Sequence, residues 1–375
     1  MNLMTVQTAE DWFKLLTTGD IISIMCYLPT FARTPNRNGE TGLMMAVRRS
    51  DTQLVRLLSE FESRIRSRDG QTALTIAIML SKVESVEILA EREIDIPTKQ
   101  GNYPRMVACR YNDTRILRLL LDIKTVYQGV NGRTALMICA QLGNLDGARL
   151  LVDSEAAKQS DRGFTASMYA SFYNHEEIVR LLLPFEGKKQ AHGGITSLMI
   201  AARQRNRQIV KLLAQQEFGL ASYTGNTALM LASEQGYEDV AELLIDFEAG
   251  QANNEGVTAL MFAVRTPCPK LVKALLPKEA GMKTRKGITA LMVAAQHNNV
   301  DFVNLLIPHE ARMTDAEGRT ALMRGARRGS LEACTLLLEL ESMILDAAGR
   351  SFHEYVQAGK QARDDILQLS CMQHT

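Results

Sequence analysis

Residues 287–317 read GITALMVAAQHNNVDFVNLLIPHEARMTDAE, and the pattern of this stretch recurs along nearly the whole chain at a spacing of 31 residues. Self-similarity at a period between about 20 and 50 residues indicates stacked supersecondary units, none of which can bury its apolar face alone. The sequence therefore predicts a repeat protein. Eleven of the 25 glycines fall on this one series: Gly39, Gly70, Gly101, Gly132, Gly163, Gly194, Gly225, Gly256, Gly287, Gly318 and Gly349.

The residues after each glycine predict two short helices per repeat. A threonine two residues later suits a helix N-cap, because its hydroxyl can accept from the free N–H groups of the first turn. Nine residues further on, Gly or Asn recurs, as expected where a helix ends in a left-handed residue. The second helix carries Phe302, Val303, Leu305 and Leu306 at helical spacing. Leu306 belongs to a column that is leucine in all ten full repeats, from Leu58 to Leu337, and we predict that this column is core.

Small polar residues stand three positions before most of the glycines and predict a side-chain-capped turn that protrudes between repeats. Two further columns are unusual. Methionine fills nine of ten positions three residues after the threonine, where a flexible apolar side chain can fill the core. Glutamate stands eight residues before the glycine in nine repeats, and Lys124 replaces it in the third repeat. We interpret this glutamate as an acceptor for loop backbone N–H groups, and we weighed a catalytic carboxylate array as the weaker alternative.

These residues resemble the ankyrin repeat, whose signature is G-x-TPLH-x-AA in the first helix and V-x-LLL in the second. The resemblance covers about residues 9–370, with a period of 31 instead of 33 and TALM in place of TPLH. The short repeats and the loop glutamate look most like the "protein 21.1" ankyrin family of diplomonad protists. The resemblance implies an all-α ankyrin-repeat solenoid built from helix-turn-helix units with protruding turns.

We predict one continuous domain in three parts. Residues 1–38 form an N-terminal capping repeat, residues 39–348 form ten repeats, and residues 349–375 form a degenerate C-terminal capping repeat and tail. Terminal repeats with a polar outer face keep such stacks soluble. The third repeat, with Tyr103-Pro104-Arg105 in place of TAL, departs most from the pattern.

Composition excludes several classes of function. A net charge of +1 and a pI near 7.6 argue against nucleic-acid and membrane partners, since both need a basic excess. No signal peptide or membrane-spanning stretch occurs, so we expect a cytoplasmic protein, and the family resemblance adds cytoskeletal association. Six cysteines and six histidines show no disulfide or metal spacing, and Cys109, Cys139 and Cys334 fall in core columns. No catalytic or nucleotide-binding motif is present, so we predict no cofactor and no enzyme activity.

In the ankyrin fold, the concave surface is formed by the protruding turns and the exposed end of the first helix. The residues seven and eight positions after the threonine hold seven arginines and one acidic residue. Exposed apolar groups beside arginine are typical of interface hot spots. The alternative is that the apolar residues cover imperfect cores of the aberrant repeats. We predict a protein-binding site formed by Arg48, Arg49, Met79, Leu80, Arg110, Tyr111, Leu142, Phe172, Tyr173 and Arg203.

Three functional hypotheses follow. The leading hypothesis is a monomeric protein-binding scaffold whose partner offers an acidic segment with apolar anchors. The second is a regulatory or targeting partner of a protein kinase acting in trans, because similar repeats are fused to kinase domains in the same protists. The third, an enzyme, has no site in an array of identical units. Fold analogy identifies none of the partners.

Overall fold

The computed structural model describes residues 5–123 and 127–358, and within these ranges the fold is all-α. Contacts divide the chain into two compact units, Met1–Glu186 and Gly187–Thr375. The division falls inside the run of ten repeats, which the sequence pattern treats as one continuous domain. Lys124, residues 359–375 and the tail of the predicted C-terminal cap lie outside the described residues. None of the described helices is long and apolar enough to cross a membrane.

Helices follow one another in pairs in both units. The first unit contains α1 Ala9–Thr18, α2 Ile21–Phe31, α3 Gly42–Arg49, α4 Thr52–Glu62, α5 Ala73–Met79, α6 Val83–Glu93, α7 Pro104–Tyr111, α8 Thr114–Leu121, α9 Ala135–Leu142, α10 Leu145–Glu155, α11 Ala166–Phe172 and α12 Glu176–Glu186. The second unit contains α13 Ser197–Arg203, α14 Arg207–Glu217, α15 Ala228–Gln235, α16 Glu238–Ala241, α17 Ile245–Glu248, α18 Ala259–Ala263, α19 Pro269–Glu279, α20 Ala290–Gln296, α21 Val300–Glu310, α22 Ala321–Arg328, α23 Leu331–Glu341 and α24 Phe352–Ala358.

The predicted N-caps are confirmed in seven of nine repeats. The hydroxyl of Thr134, for example, accepts from the N–H of Met137 at 3.3 Å, and this bond satisfies one free donor of the first turn. Thr41 and Thr258 make no such bond. The predicted left-handed residues after the first helix are also confirmed, because all six have positive φ angles: Asn112, Gly143, Asn174, Gly236, Asn298 and Gly329.

The predicted core columns are buried. All ten leucines from Leu58 to Leu337 are fully buried, and so are the nine methionines of the first helix. Cys109, Cys139 and Cys334 are buried as predicted, and burial raises the pKa of the Cys334 thiol to about 12. The sixth repeat, which begins at Gly194, keeps the pattern of two helices. In the next repeat, the second helix is divided into α16 and α17. There, the N–H groups of Leu243 and Leu244 bond to carbonyls three residues back.

The protruding turns are held by their own polar side chains. Asp315 accepts from the backbone N–H groups of Glu317 and Arg319, both at 2.9 Å, as the small polar column predicts. The glycine three residues later has a φ angle of +75°, which favours glycine. A Cβ on Gly318 would also lie 2.5 Å from the backbone nitrogen of Ala347 in the next turn. Both the conformation and the close approach therefore require glycine here.

The repeated glutamate joins consecutive repeats. One carboxylate oxygen accepts from the N–H two residues after the threonine, at 2.6 to 2.8 Å in nine repeats. The other oxygen accepts from a left-handed residue at the end of the preceding repeat, as between Glu93 and Arg64 at 2.9 Å. Burial raises the pKa of Glu93, and these hydrogen bonds oppose that shift. The structural interpretation of the glutamate is confirmed. We call this arrangement the carboxylate clamp.

The third repeat reverses the clamp. Arg105 is buried at the position that is leucine in most repeats, two residues after the threonine column. Its Nε and Nη2 atoms donate to the carbonyl of Leu120 at 3.1 and 2.9 Å, and Nη2 also donates to the carbonyl of Ile123. These carbonyls lie at the C-terminal end of α8, where backbone acceptors lack helical partners. Burial lowers the pKa of Arg105, and the nearby Glu155 raises it.

Candidate functional site

A groove of about 520 Å³ in the first unit contains part of the predicted site. It lies between the protruding turns at residues 67–71 and 98–102 and the first helices α5 and α7. Met79, Arg110 and Tyr111 line it from the last turns of those helices, together with Val107 and residues of the two turns. The groove follows from the repeat itself, because each turn projects beyond the first helix that follows it. These three predicted residues therefore share one surface.

The predicted apolar residues stay accessible at the helix ends. Met79 is half-buried, and Tyr111 is 46% exposed beside the left-handed residue Asn112 that ends α7. Leu80 and Leu142 occupy the same place after α5 and at the end of α9, and both are exposed. These side chains therefore present apolar area at the surface of the protein.

The predicted aromatic pair lies beyond the groove lining. The rings of Phe172 and Tyr173 meet edge to face with centroids 5.1 Å apart, and Phe172 is 50% exposed. The Tyr173 hydroxyl accepts from the Gln141 side-chain amide at 3.2 Å, so its ring has a fixed position. A rigid, half-exposed aromatic pair is a favourable anchor because little entropy is lost when a partner covers it.

The predicted arginines divide into two groups. Arg48 pairs with Glu40 at 2.7 Å, and Arg49 donates to the carbonyls of Leu16 and Thr17 at 3.3 and 3.0 Å. Arg48 is therefore engaged within the first repeat, and Arg49 connects that repeat to α1. Arg110 is exposed and forms no salt bridge with any described residue. Among the three predicted arginines of the first unit, Arg110 is therefore the one without a salt bridge or hydrogen-bond partner in the described residues.

Arg203 belongs to the second unit. It lies in the last turn of α13, is exposed, and forms no salt bridge within residues 5–123 and 127–358. The other nine predicted residues belong to the first unit. The groove of the first unit is therefore described without Arg203.

Several groove residues were not predicted. Asp69, Gln71, Lys99 and Asn102 line the groove from the protruding turns. These residues lie beside the glycines of the 31-residue series, where the chain forms the tip of each turn. Their position next to the glycines could have predicted that they line this surface. With Arg110, Lys99 and Asp69 the groove carries both signs of charge with a positive excess.

The chemistry of the described residues is that of a contact surface. No group of three or more His, Cys, Asp or Glu residues is arranged to hold a metal ion in the described ranges. The cysteines there are buried or isolated thiols, and the buried glutamates are occupied by backbone donors. What the groove offers a partner is apolar area, a free guanidinium and hydrogen-bonding turns.

The family comparison agrees with this geometry. A model described as "Ankyrin repeats (3 copies)" matches residues 18–100, 92–161, 154–224, 198–285 and 260–346, which together run through most of the chain. The chain belongs to the ankyrin-repeat family. No curated protein matches it. The all-α ankyrin-repeat fold predicted from the sequence is thereby confirmed, whereas the match does not extend to a particular subfamily.

Membership of the ankyrin-repeat family sets the class of function. Ankyrin repeats generally mediate protein–protein interactions, and proteins built from them are typically scaffolds without catalytic activity. The groove in the first unit lies on the surface formed by the protruding turns and the first helices of these ankyrin repeats.

Proposed function

We propose that this chain is a protein-binding scaffold whose first unit holds a segment of a partner protein in the 520 Å³ groove. The observation that carries the proposal is the position of Met79, Tyr111 and Arg110 in one groove. Two apolar side chains lie beside a free guanidinium, and this combination is enriched in interface hot spots.

The same residues indicate the chemistry of the partner. An apolar anchor would cover Tyr111 and Met79, and a carboxylate would pair with Arg110 by two parallel hydrogen bonds. Phe172 and Tyr173 provide a second anchor point in the fifth repeat. The partner segment is therefore acidic with apolar anchors.

A capture experiment with matched controls tests the proposal. The bait variant carries Tyr111→Ala with Phe172→Ala, and the control carries Tyr223→Ala with Phe218→Ala in the second unit. Phe218 is 49% exposed and Tyr223 is 75% exposed, so both pairs remove exposed aromatic area. We expect the bait variant to lose wild-type partners at low and high salt, while the control keeps them. A partner crosslinked to wild type should yield a peptide containing Tyr111. Unchanged capture by the folded bait variant would contradict the proposal.

The charged part of the site should behave differently. Arg110→Gln should weaken capture mainly at low ionic strength, because an exposed arginine chiefly steers the encounter and salt screens it. Arg48→Gln is the matched control, since Arg48 already pairs with Glu40 and lies two repeats away. That separation is about 20 Å at about 10 Å per helix layer, which exceeds the Debye length of about 8 Å. Equal salt-dependent losses in both variants would contradict a specific role for Arg110.

Finer assignments rest on the sequence resemblance. The 31-residue period, TALM and the loop glutamate support a place among the protein 21.1 ankyrin proteins, with a monomeric chain in the cytoplasm and at the cytoskeleton. A kinase acting in trans is the second proposed partner. Recovery of a kinase by wild type and by the control, but not by the aromatic variant, would identify the groove as its binding site.

A further inference from the structure

The second unit contains a cavity of about 380 Å³ with an unusually cationic lining. It lies at the ninth and tenth repeats and is formed by α20, α22 and α24 with the turn before α22. Ligand pockets commonly have volumes of about 300 to 1,000 Å³, so this cavity is large enough for a small charged group and part of the molecule that bears it. Four arginines line the cavity, together with Gln296 and Tyr355: Arg319, Arg324, Arg327 and Arg328.

Two of the arginines are neutralised within the protein. Arg324 and Arg319 both pair with the buried carboxylate of Asp315, at 2.7 and 2.9 Å, and Arg319 also pairs with Glu317 at 2.7 Å. These ion pairs fix the two guanidinium groups in one wall of the cavity. Two carboxylates oppose four guanidinium groups, so a charge of +2 is left.

The remaining charge belongs to Arg327 and Arg328. Both are exposed in the last turn of α22, and neither forms a salt bridge with any residue in the described parts of the chain. The first repeat provides the contrast: Arg48 and Arg49 occupy the same two columns in α3 and are engaged by Glu40 and by the carbonyls of α1. A favourable interaction with the helix dipole would serve both pairs equally, and it does not explain why the first pair has partners and the second has none among the described residues.

Neighbouring groups show the same excess of positive charge. Burial lowers the pKa of His297, and the charges of Arg265 and Arg328 lower it further. The Tyr355 hydroxyl donates to Asp346 at 2.6 Å and accepts from Arg350 at 3.1 Å, so it neutralises none of the cavity arginines. The charge of Arg328 therefore acts on an imidazole of the preceding repeat.

We propose that this cavity is a binding site for a phosphate monoester. A phosphate dianion carries up to two negative charges and three acceptor oxygens, which match the two unpaired guanidinium groups and their forked donors. A carboxylate would satisfy only one of these arginines by two parallel bonds. The site is separate from the groove proposed for the first unit and depends on none of its residues.

Inorganic phosphate is the first probe, titrated into the ¹⁵N-labelled full chain at constant ionic strength, with acetate as the monoanionic control. We expect saturable shifts of the Arg327 and Arg328 side-chain signals with phosphate only, and weaker binding as the pH falls below neutrality and the dianion gains a proton. Arg327→Gln with Arg328→Gln should weaken binding at least tenfold. Arg203→Gln, an exposed arginine in the same column as Arg327, should leave binding unchanged. Equal shifts with acetate, or full binding by the folded double variant, would overturn the proposal.

A second set of probes distinguishes the sources of the phosphate. A short glycine-serine peptide with one phosphoserine, its unphosphorylated counterpart and inositol hexakisphosphate are compared under the same conditions. Binding of the phosphopeptide at least tenfold more tightly than inorganic phosphate would assign the site to phosphorylated proteins. The same gain with inositol hexakisphosphate would assign it to soluble phosphorylated metabolites. If neither exceeds inorganic phosphate, the site takes the free ion and the assignment to a phosphate monoester is overturned. Binding of the unphosphorylated peptide as tight as that of the phosphopeptide would refute a phosphate site.

Discussion

The third and fourth repeats use side chains of opposite charge to connect their two helices. In the fourth repeat, Glu155 accepts from the N–H of Leu136 at 2.8 Å and from the hydroxyl of Thr134, both at the start of α9. In the third repeat, Arg105 reaches from the start of α7 to the carbonyls at the end of α8. Each arrangement connects the first turn of one helix to the last turn of its partner. Both repeats therefore have this connection, but a glutamate makes it in the fourth repeat and an arginine makes it in the third.

The two arrangements also affect one another. Burial raises the pKa of Glu155, and the nearby Arg105 is among the groups that lower it. Burial lowers the pKa of Arg105, and Glu155 is the largest influence in the other direction. Reversal of the clamp in one repeat therefore places a buried cation beside the buried carboxylate of the next. A residue that departs from the repeat pattern is compensated by its neighbour in the stack, as expected when each unit packs only on adjacent units.

The largest expected effect comes from removal of the carboxylate charge beside Arg105. Glu155→Gln weakens the hydrogen bonds at the start of α9 and also removes the carboxylate charge that acts on the buried Arg105, so it should cost more than the roughly 3 kcal/mol at the upper end for weakened hydrogen bonds alone. Glu93→Gln is the matched control in the second repeat, where the cation that lowers the pKa of the carboxyl, Arg64, is exposed. It should cost about 1 to 3 kcal/mol through its weakened hydrogen bonds alone. Urea denaturation, with amide exchange of Leu136 and Leu74, measures both. Equal costs would show that Arg105 and Glu155 do not interact.

The reversed clamp itself should have an intermediate effect. Arg105→Met keeps an unbranched side chain but removes the donors to Leu120 and Ile123, and leaving buried carbonyls unsatisfied costs about 1 to 3 kcal/mol. Leu136→Met is the control at the same column of the fourth repeat, where a volume-conserving apolar change costs less than about 1.5 kcal/mol. The difference should appear in the free energy of unfolding and as faster amide exchange in α8 than in α10. If both variants are equally stable, the bonds from Arg105 add nothing beyond apolar packing.

The sequence predicted what repeats with the period. The positive φ of Gly318, the cap of Thr134 and the burial of Leu58 each depend on local geometry or on the adjacent repeat, so each leaves a column that can be recognised. The glutamate column likewise indicated backbone acceptance before its partners were known. A contact that recurs in nine repeats can be predicted from the sequence, because the same residue type recurs at the same position each time.

The parts that could not be predicted depend on which side chain a given residue meets. Arg48 and Arg110 occupy one column, yet Arg48 pairs with a glutamate eight residues earlier and Arg110 has no salt bridge with a described residue. The shared column predicts that both side chains lie on the surface formed by the turns. It does not predict which of the two guanidinium groups forms a salt bridge. The acceptors of Arg105 are backbone carbonyls, which leave no trace in a sequence pattern. The candidate site was therefore predicted as a region, with its working residues identified only by their contacts.

The smallest expected effect is a pH dependence that separates two carboxylates of the second repeat. Burial raises the pKa of Glu93, so the folded protein holds this proton at higher pH than the unfolded chain. Its contribution to stability therefore grows as pH falls through the window between the raised folded value and the ordinary value near 4.5. Asp95, two residues later, has the opposite sign, because its hydrogen bonds with Arg64 lower its pKa. Its contribution is present above about pH 3.8 and is lost as pH falls further.

Comparison of Glu93→Gln and Asp95→Asn with wild type from pH 7.5 to about 3 tests these signs, because the loss expected for Asp95 begins below about pH 3.8. As the pH falls, the free energy of unfolding of wild type should increase relative to that of Glu93→Gln, by at most about 1.4 kcal/mol per pH unit within the window. Against Asp95→Asn it should keep an advantage of about 0.2 to 1 kcal/mol that salt reduces, because this ion pair is exposed. A stability difference for Glu93→Gln that shrinks on acidification would mean that the hydrogen bonds to the carboxylate outweigh its burial. The carboxylate clamp of the second repeat would then hold a charge against the cost of desolvation, as the reversed clamp of Arg105 does in the third repeat.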